Sequence, residues 1–483
     1  MMGQVKSIDQ KVFFLVAFIL AVITVCCLLF QQPFILIGAL FVFIALLLLH
    51  QPQFLLFVLV ASIPWSVEYQ AGPALGTDLP DEPLMLFLSL AVILVLVYKY
   101  KEVKFQIRHV LFLLLALQLL WTLVTVIFSS VPEVSLKYLL AKTWYLLAFL
   151  VAPVLFLKTQ NQIKQLALVF VISMVVAAFV ALARHYYLNF SFADVNKTVY
   201  PFFRNHVNYS ALLVLVIPVV IALQSFSKKN VVRIFICLLI LLLVAAVYFS
   251  YARGAWLALV TGVFSYLLLK HRLLFKAYLF AIAFCIISIV YLVKDNNYLR
   301  YSHDYKTTIY HEEFKQHLIA TYQLKDVSSA ERFYRWIAGI RMIKDYWTTG
   351  SGPNTFYPLY KQYTVPAFRT WVSRNEEKST VHNYFLLLII EQGIIGLMIF
   401  LFLLGVLFYK SESIYQKTKE KFWRTSAATI AVMLTMICTV NFLSDLIETD
   451  KIGSVFYLCI AVLIIADSNT KSSQLSSDMQ SIS

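Results

Sequence analysis

The sequence predicts an all-α integral membrane protein, a bundle of 12–14 transmembrane helices with one large periplasmic loop. Composition is the first reason. Of 483 residues, 61% are hydrophobic and 13% charged. A soluble domain holds about 45–50% apolar and about 25% charged residues, so the apolar excess needs lipid to cover it. The length of the apolar runs is the second reason. Residues 12–30, 110–128, 138–157, 234–250 and 274–293 each approach or exceed the roughly 17–25 residues that span a bilayer. The third is an alternation of basic charge between successive connections.

Fourteen apolar segments lie near residues 12–30, 33–49, 53–65, 84–98, 110–128, 138–157, 166–183, 209–224, 233–249, 255–269, 275–293, 383–409, 425–441 and 452–466. The third and fourth are short, which leaves a count of twelve open. The first is longer than a signal peptide's apolar region and is followed by Gln31, Gln32 and Pro33 rather than a small-residue cleavage site, so it reads as a retained span. All six cysteines (Cys26, Cys27, Cys237, Cys285, Cys438 and Cys459) fall in apolar spans. They read as small core residues rather than disulfides or metal ligands, and the redox compartment stays open.

The formal charge is +15. It is spread over loops between spans, which fits membrane orientation and not a nucleic-acid partner. One alternating set of connections and termini carries 20 basic residues, including Lys99, Lys101, Lys228, Lys229, Lys417 and Lys419. The short loops of the other set carry only Lys137, Lys142, Arg184, Lys197, Arg204, Arg253 and Lys451. Positive charge stays inside, so both termini are expected in the cytoplasm. Residues 1–293 are expected to form an N-terminal bundle of about eleven spans, 294–381 the large periplasmic loop, 382–466 the C-terminal spans and 467–483 a disordered cytoplasmic tail.

Three places on the outer side can carry chemistry. In the large loop, Ser328 and Glu331 form a capping-box pattern. Phe333, Trp336, Ile337, Ile340 and Ile343 follow at helical spacing, an apolar stripe for the membrane surface or the bundle. Arg332 and Arg335 are neighbours on that helix, and Glu331 gives Arg335 an i,i+4 partner. A turn, Gly350-Ser351-Gly352-Pro353-Asn354, ends the segment. Next, His382-Asn383 opens a span. Gly393 lies eleven positions on, near three helical turns, and Gly396 one turn later, so all three are expected near one face where a neighbour can approach closely. The positive end of that helix favours the neutral imidazole a general base needs, although a histidine here can also merely cap its helix. Finally, Arg253 sits between two spans with almost no loop, either functional or a snorkelling anchor. Arg204 and His206 lie near another span start, where anchoring is the plainer role. Glu391 falls inside the membrane and is expected to pair within the bundle. His303, His311 and His317 share no ligand spacing, and Asp78, Asp81 and Glu82 read as an ordinary loop.

Over roughly residues 200–410 the chain resembles the O-antigen ligase and polymerase superfamily. The ligase pattern is His, then Asn, Ser or Gln, nine residues, Gly, two residues, then Gly, Thr or Tyr. His382, Asn383, Gly393 and Gly396 satisfy it, Arg253 with Leu257 fits the family's arginine, three residues, leucine motif, and Arg332 with the Gly350 to Pro353 stretch is similar to its large-loop arginine and glycine-rich stretch. The resemblance implies a GT-C-like fold and a metal-independent glycosyltransferase without a cofactor. The implied donor is an undecaprenyl pyrophosphate-linked glycan, and the acceptor the sugar core of lipid A or another glycan, at the periplasmic face of a bacterial inner membrane. His382 is the expected base that activates the acceptor hydroxyl. Arg253 and Arg332 are expected to hold the pyrophosphate, with Arg335 and Arg204 assisting, because guanidinium forks match phosphate oxygens. A single displacement would invert the anomeric carbon. The rivals are a polymerase joining lipid-linked repeat units, a protein O-oligosaccharyltransferase, and a transporter for the same lipid. A transporter should place ionisable groups near the midplane, whereas the strongest signals here sit at the outer boundary.

Overall fold

The computed structural model describes residues 52–72, 75–98, 108–301, 327–366, 369 and 380–482. The first two expected spans, Cys26, Cys27, His303, His311 and His317 lie outside the described residues. Within them the chain is an all-α membrane bundle. Among the described residues, ten helices are long and apolar enough to cross a bilayer.

The chain enters as α1 (Pro52–Ser62), a short apolar helix that ends in a 3₁₀ turn at Ile63–Trp65. A two-stranded antiparallel hairpin follows, β1 (Val67–Gly72) and β2 (Leu75–Leu79). Asp78, Asp81 and Glu82, expected in an ordinary loop, lie instead in β2 and the first turn of α2 (Asp81–Tyr98). Asp81 is buried and accepts from Ser62 Oγ. Next come α3 (Val110–Ile127), α4 (Pro132–Phe156, with a π-helical stretch at Leu147–Val151), α5 (Gln160–Tyr187), α6 (His206–Phe226), α7 (Asn230–Phe249), α8 (Arg253–Lys270) and α9 (Leu274–Val293). The large loop contributes α10 (Val327–Tyr346). Three helices close the chain: α11 (Tyr384–Lys417), α12 (Lys421–Leu443) and α13 (Asp450–Ile482).

Burial sorts these helices. In α13, 78% of the spanning window is buried, whereas none of the corresponding window of α9 is. Phe280, Phe284, Ile287 and Tyr291 of α9 face outward. In water such a helix would be an aggregation surface; in a bilayer it is a rim helix wetted by lipid. Cys237, expected in the core, also faces outward, because α7 lies at the rim.

The two alternating sets of connections lie at opposite ends of the bundle. At the basic end, Gln162 bonds Gln53, Arg272 bonds Gln416, and Asp467 ties α3, α11 and α13 together through His109 (3.0 Å) and Lys410 (3.0 Å). At the other end, Ser130 N donates to the Ser351 carbonyl and Arg184 to that of Tyr200. Lys451, 5% exposed, donates to the Ile63 and Ser66 carbonyls that terminate α1. A lysine near a helix C-terminus satisfies orphan carbonyls with a full charge, which explains its burial.

Three expectations change here. The described helix α10 starts at Val327, so Ser328 is not a cap outside it, and Glu331 pairs with Arg335 instead. The face of α10 turned to the bundle holds Ala330, Tyr334, Ile337, Ala338 and Met342, rotated from the expected stripe because α10 packs on α11. The Ser-rich tail, expected to be disordered, continues α13 to Ile482; it holds no Gly or Pro to stop a helix already started in the bundle.

Candidate active site

His382 sits where three elements meet at the end of the bundle opposite the basic connections. Its backbone is left-handed, φ 54°, immediately before the cap of α11. Asn383 is that cap. Its Oδ1 accepts from Leu386 N (2.9 Å) and its Nδ2 donates to the Phe442 carbonyl (3.0 Å). The last carbonyls of a helix lack partners of their own and carry partial negative charge. Here α12 offers three in a row: Phe442 to Asn383, Leu443 to Arg332 Nε (3.1 Å), and Ser444 to the Tyr384 N–H (3.0 Å). The end of α12 thus holds both the histidine's helix and the arginine's helix. A Cβ placed on Gly254 would touch Leu443, so the first turn of α8, which begins at Arg253, rests on the same terminus. The α7–α8 reversal takes only Ser250 to Ala252, with Tyr251 at φ 55°.

Arg335 differs from the other arginines. It is 1% exposed. Its Nε and Nη2 both pair with Glu331 Oε1 at 3.0 Å, and Nη1 donates to the Thr380 carbonyl (2.9 Å). Nη1 also lies 3.5 Å from His382 Nε2, long for a hydrogen bond, so that contact is chiefly electrostatic. The expected pyrophosphate contact from Arg335 does not fit this burial: its nitrogens are engaged by Glu331 and by the His382 loop. Arg332 is half-buried and Arg204 exposed.

Burial and then the charges of Arg332, Arg335 and Arg204 hold the His382 imidazole down to about 3. That favours the neutral imidazole, through burial and neighbouring charge rather than the helix end alone. On the other side of the loop, Thr380 Oγ1 donates to Asp445 Oδ2 (2.5 Å), and burial pushes the Asp445 carboxyl up to about 6. The sequence reading missed Asp445 and Thr380. The available signal was a carboxylate at the outer edge of a span, a costly place that usually has a reason.

The glycines act differently from expectation. Gly393 is not a smooth position on a helix face; it breaks α11, at φ 68° and ψ −177°. The break frees carbonyls, and the glycine-rich turn after α10 docks on them. Ser351 N donates to the Ile390 carbonyl (2.9 Å), Gly352 N to that of Glu391 (3.0 Å), and Trp121 Nε1 to that of Gln392 (2.8 Å). Ile394 N returns a bond to the Trp347 carbonyl (2.9 Å). Glu391, buried inside α11, spends its carboxylate on this turn, accepting from Asn354 N (2.8 Å) and Phe356 N (3.0 Å). Any Cβ at Gly350 would lie 2.2 Å from Glu391 main chain, and one at Gly393 would lie 1.9 Å from the Thr348 carbonyl. Gly396 is in close approach as expected, against Gln392 and Trp121. Among the described residues no group of three or more His, Cys, Asp or Glu is placed to hold a metal ion.

A histidine, a buried guanidinium and further arginines thus gather at one end of the bundle, and part of this region is similar to a known family. Residues 237–401 match the family model for O-antigen ligase. The match covers roughly a third of the chain and runs from within α7 into α11. The matched segment contains Arg253, Arg332, Arg335, His382, Gly393 and Gly396, while Arg204 lies before it. No curated protein matches the chain. The segment supports a lipid-linked glycan transferase of the O-antigen ligase or polymerase type, in a multi-pass membrane protein.

Proposed function

We propose that this protein transfers a glycan from undecaprenyl pyrophosphate to a sugar hydroxyl of the lipid A–core at the periplasmic face of a bacterial inner membrane. The observation that carries the reading is His382 set among the charges of Arg332, Arg335 and Arg204 at one end of the bundle, with Arg253 opening a helix that rests on the same end of α12, inside or beside the segment that matches the O-antigen ligase model. The distribution of basic residues supports an outward-facing position for that end and cytoplasmic termini.

In this reading His382 takes the proton of the acceptor hydroxyl. The oxygen attacks the anomeric carbon, the bond from that carbon to the phosphate oxygen breaks, and the undecaprenyl pyrophosphate leaves with the electron pair. One displacement inverts the carbon, and the residues need no metal for it. Arg332, Arg253 and Arg204 bind the pyrophosphate as charged forks. Arg335 is assigned a positioning role instead, holding the Thr380–His382 loop on α10.

The donor itself completes the base. An imidazole held down to about 3 accepts a proton poorly, and arginine charge is a main cause after burial. A bound pyrophosphate brings opposite charge to those arginines and raises the imidazole toward its ordinary range, where base catalysis is efficient. His382 then becomes a competent base when the donor is in place.

The deciding experiment reconstitutes the protein in liposomes with undecaprenyl pyrophosphate-linked glycan, with and without lipid A–core, beside His382→Ala. Glycan appearing on lipid A–core, only with His382 present, is the expected result. Lengthening of the lipid-linked glycan in the absence of that acceptor would replace the ligase reading with the polymerase one. Transfer that survives in His382→Ala would remove the base assignment, and a retained anomeric configuration would remove the single displacement.

A further inference from the structure

The end of the bundle opposite His382 contains a cavity of about 130 Å³. It lies between α5, α6, α12 and α13, with Val60 of α1 also lining it. Phe170, Leu223, Phe226, Phe422, Met433 and Leu458 are typical of its wall. The polar lining residues are Lys164, Ser426 and Thr429, and Thr429 turns its hydroxyl to the Thr425 carbonyl of its own helix. Along α12 the slot runs from Phe422 to Met433, about 16 Å at the helical rise. That is about half of a roughly 30 Å hydrocarbon layer, the depth of one leaflet.

Charge gathers at its mouth. The Lys164 ammonium lies 4.9 Å from the Phe226 ring centre and 5.2 Å from that of Phe422. Lys421 lies 5.9 Å from the same Phe226 ring and donates to the Ser225 carbonyl. Arg424, one turn along α12, turns instead to the Tyr415 ring of α11 (4.7 Å). The facing acid is Glu420, which accepts from Gln160. Apolar depth below and a surplus of ammonium groups above match a molecule with a long hydrocarbon chain and an anionic head.

We infer that this cavity seats one acyl chain of an anionic glycerophospholipid, with the phosphate against Lys164 and Lys421. The donor's polyprenyl chain is a poor occupant, because its pyrophosphate belongs at the other end of the bundle. A zwitterionic lipid would bring its own cation to the two lysines.

The test is native mass spectrometry of the full chain in detergent, exchanged with phosphatidylglycerol or phosphatidylcholine. One phosphatidylglycerol should stay bound per chain, with a preference of about tenfold over phosphatidylcholine. Lys164→Gln with Lys421→Gln should remove the preference. Ala222→Trp should fill the slot and abolish retention, and Ala167→Leu gives the same readout should the larger substitution prevent folding. Equal retention of the two lipids, a preference that ignores the lysine pair, or displacement by undecaprenyl phosphate would overturn the assignment. None of these readouts depends on glycan transfer.

Discussion

At the scale of single residues, His382 and Arg335 divide the work of the site. A positioned histidine base contributes about 10²–10⁴-fold, so His382→Ala should lower transfer by that factor and leave thermal unfolding in detergent nearly unchanged. Because His382 titrates below its ordinary 6.5, the unfolded chain binds a proton that the folded chain refuses between about 3 and 6.5. Its contribution to stability is therefore present above 6.5 and is lost as pH falls through that window. In activity, kcat/KM should show no acid limb from His382 above about pH 4, while kcat should show one at higher pH, since bound pyrophosphate offsets the arginines. Identical limbs in the two profiles would sink the donor-completed base. A limb near pH 6 that vanishes in Asp445→Asn belongs to the other side of the loop. Arg335→Ala strips the partner from a buried Glu331 and should cost about 3–5 kcal/mol of stability. Arg335→Lys should lower kcat with little change in the donor's KM, whereas Arg332→Gln should raise that KM.

At the scale of elements, the broken helix α11 joins the large loop to the bundle. The Gly350–Gly352 turn makes its main-chain bonds only because Gly393 turns carbonyls away from the helix ladder. Gly393→Ala meets both a backbone conformation that side chains rarely adopt and the Thr348 carbonyl, so it should destabilise by at least the roughly 1–3 kcal/mol of local strain. Limited proteolysis of the large loop should speed up in that variant before the bundle melts. Unchanged proteolysis would mean that the docking of α10 does not depend on the break. A similar junction, the end of α12, receives Asn383, Arg332 and the Tyr384 N–H on successive carbonyls, so the histidine and arginine helices share one anchor.

At the scale of the whole molecule, the bundle separates a basic end from an end that carries the candidate site. Single cysteines placed at 228 and 419 should react with a membrane-impermeant thiol reagent from one side of oriented vesicles, and one at the exposed position 197 from the other. Labelling of all three from the same side would contradict the alternation of spans. The rim helix α9 should tolerate exchange among large apolar residues at Phe280 and Phe284, and lose insertion when either becomes Asp, because lipid alone covers that face.

Composition and the length of apolar runs alone determined the membrane bundle, since backbone polar groups in hydrocarbon can be satisfied only within helices or closed barrels. The described helices overlap the predicted segments for the same reason, although α11 and α13 run on well past the predicted ends, and His382, Asn383 and the arginines stood out because charge at a membrane boundary is costly and therefore conspicuous. What only the tertiary structure decided is which groups spend their hydrogen bonds on one another. Arg335 looked like a phosphate ligand until Glu331 and Thr380 occupied it, Gly393 looked like a smooth helix face until its backbone proved left-handed, and Asp445 passed unnoticed because its partner, Thr380, lies 65 residues away in the chain. Periodicity reports the solvent each face meets, whereas these pairings depend on which distant segments pack together, and a pattern local in sequence does not encode that.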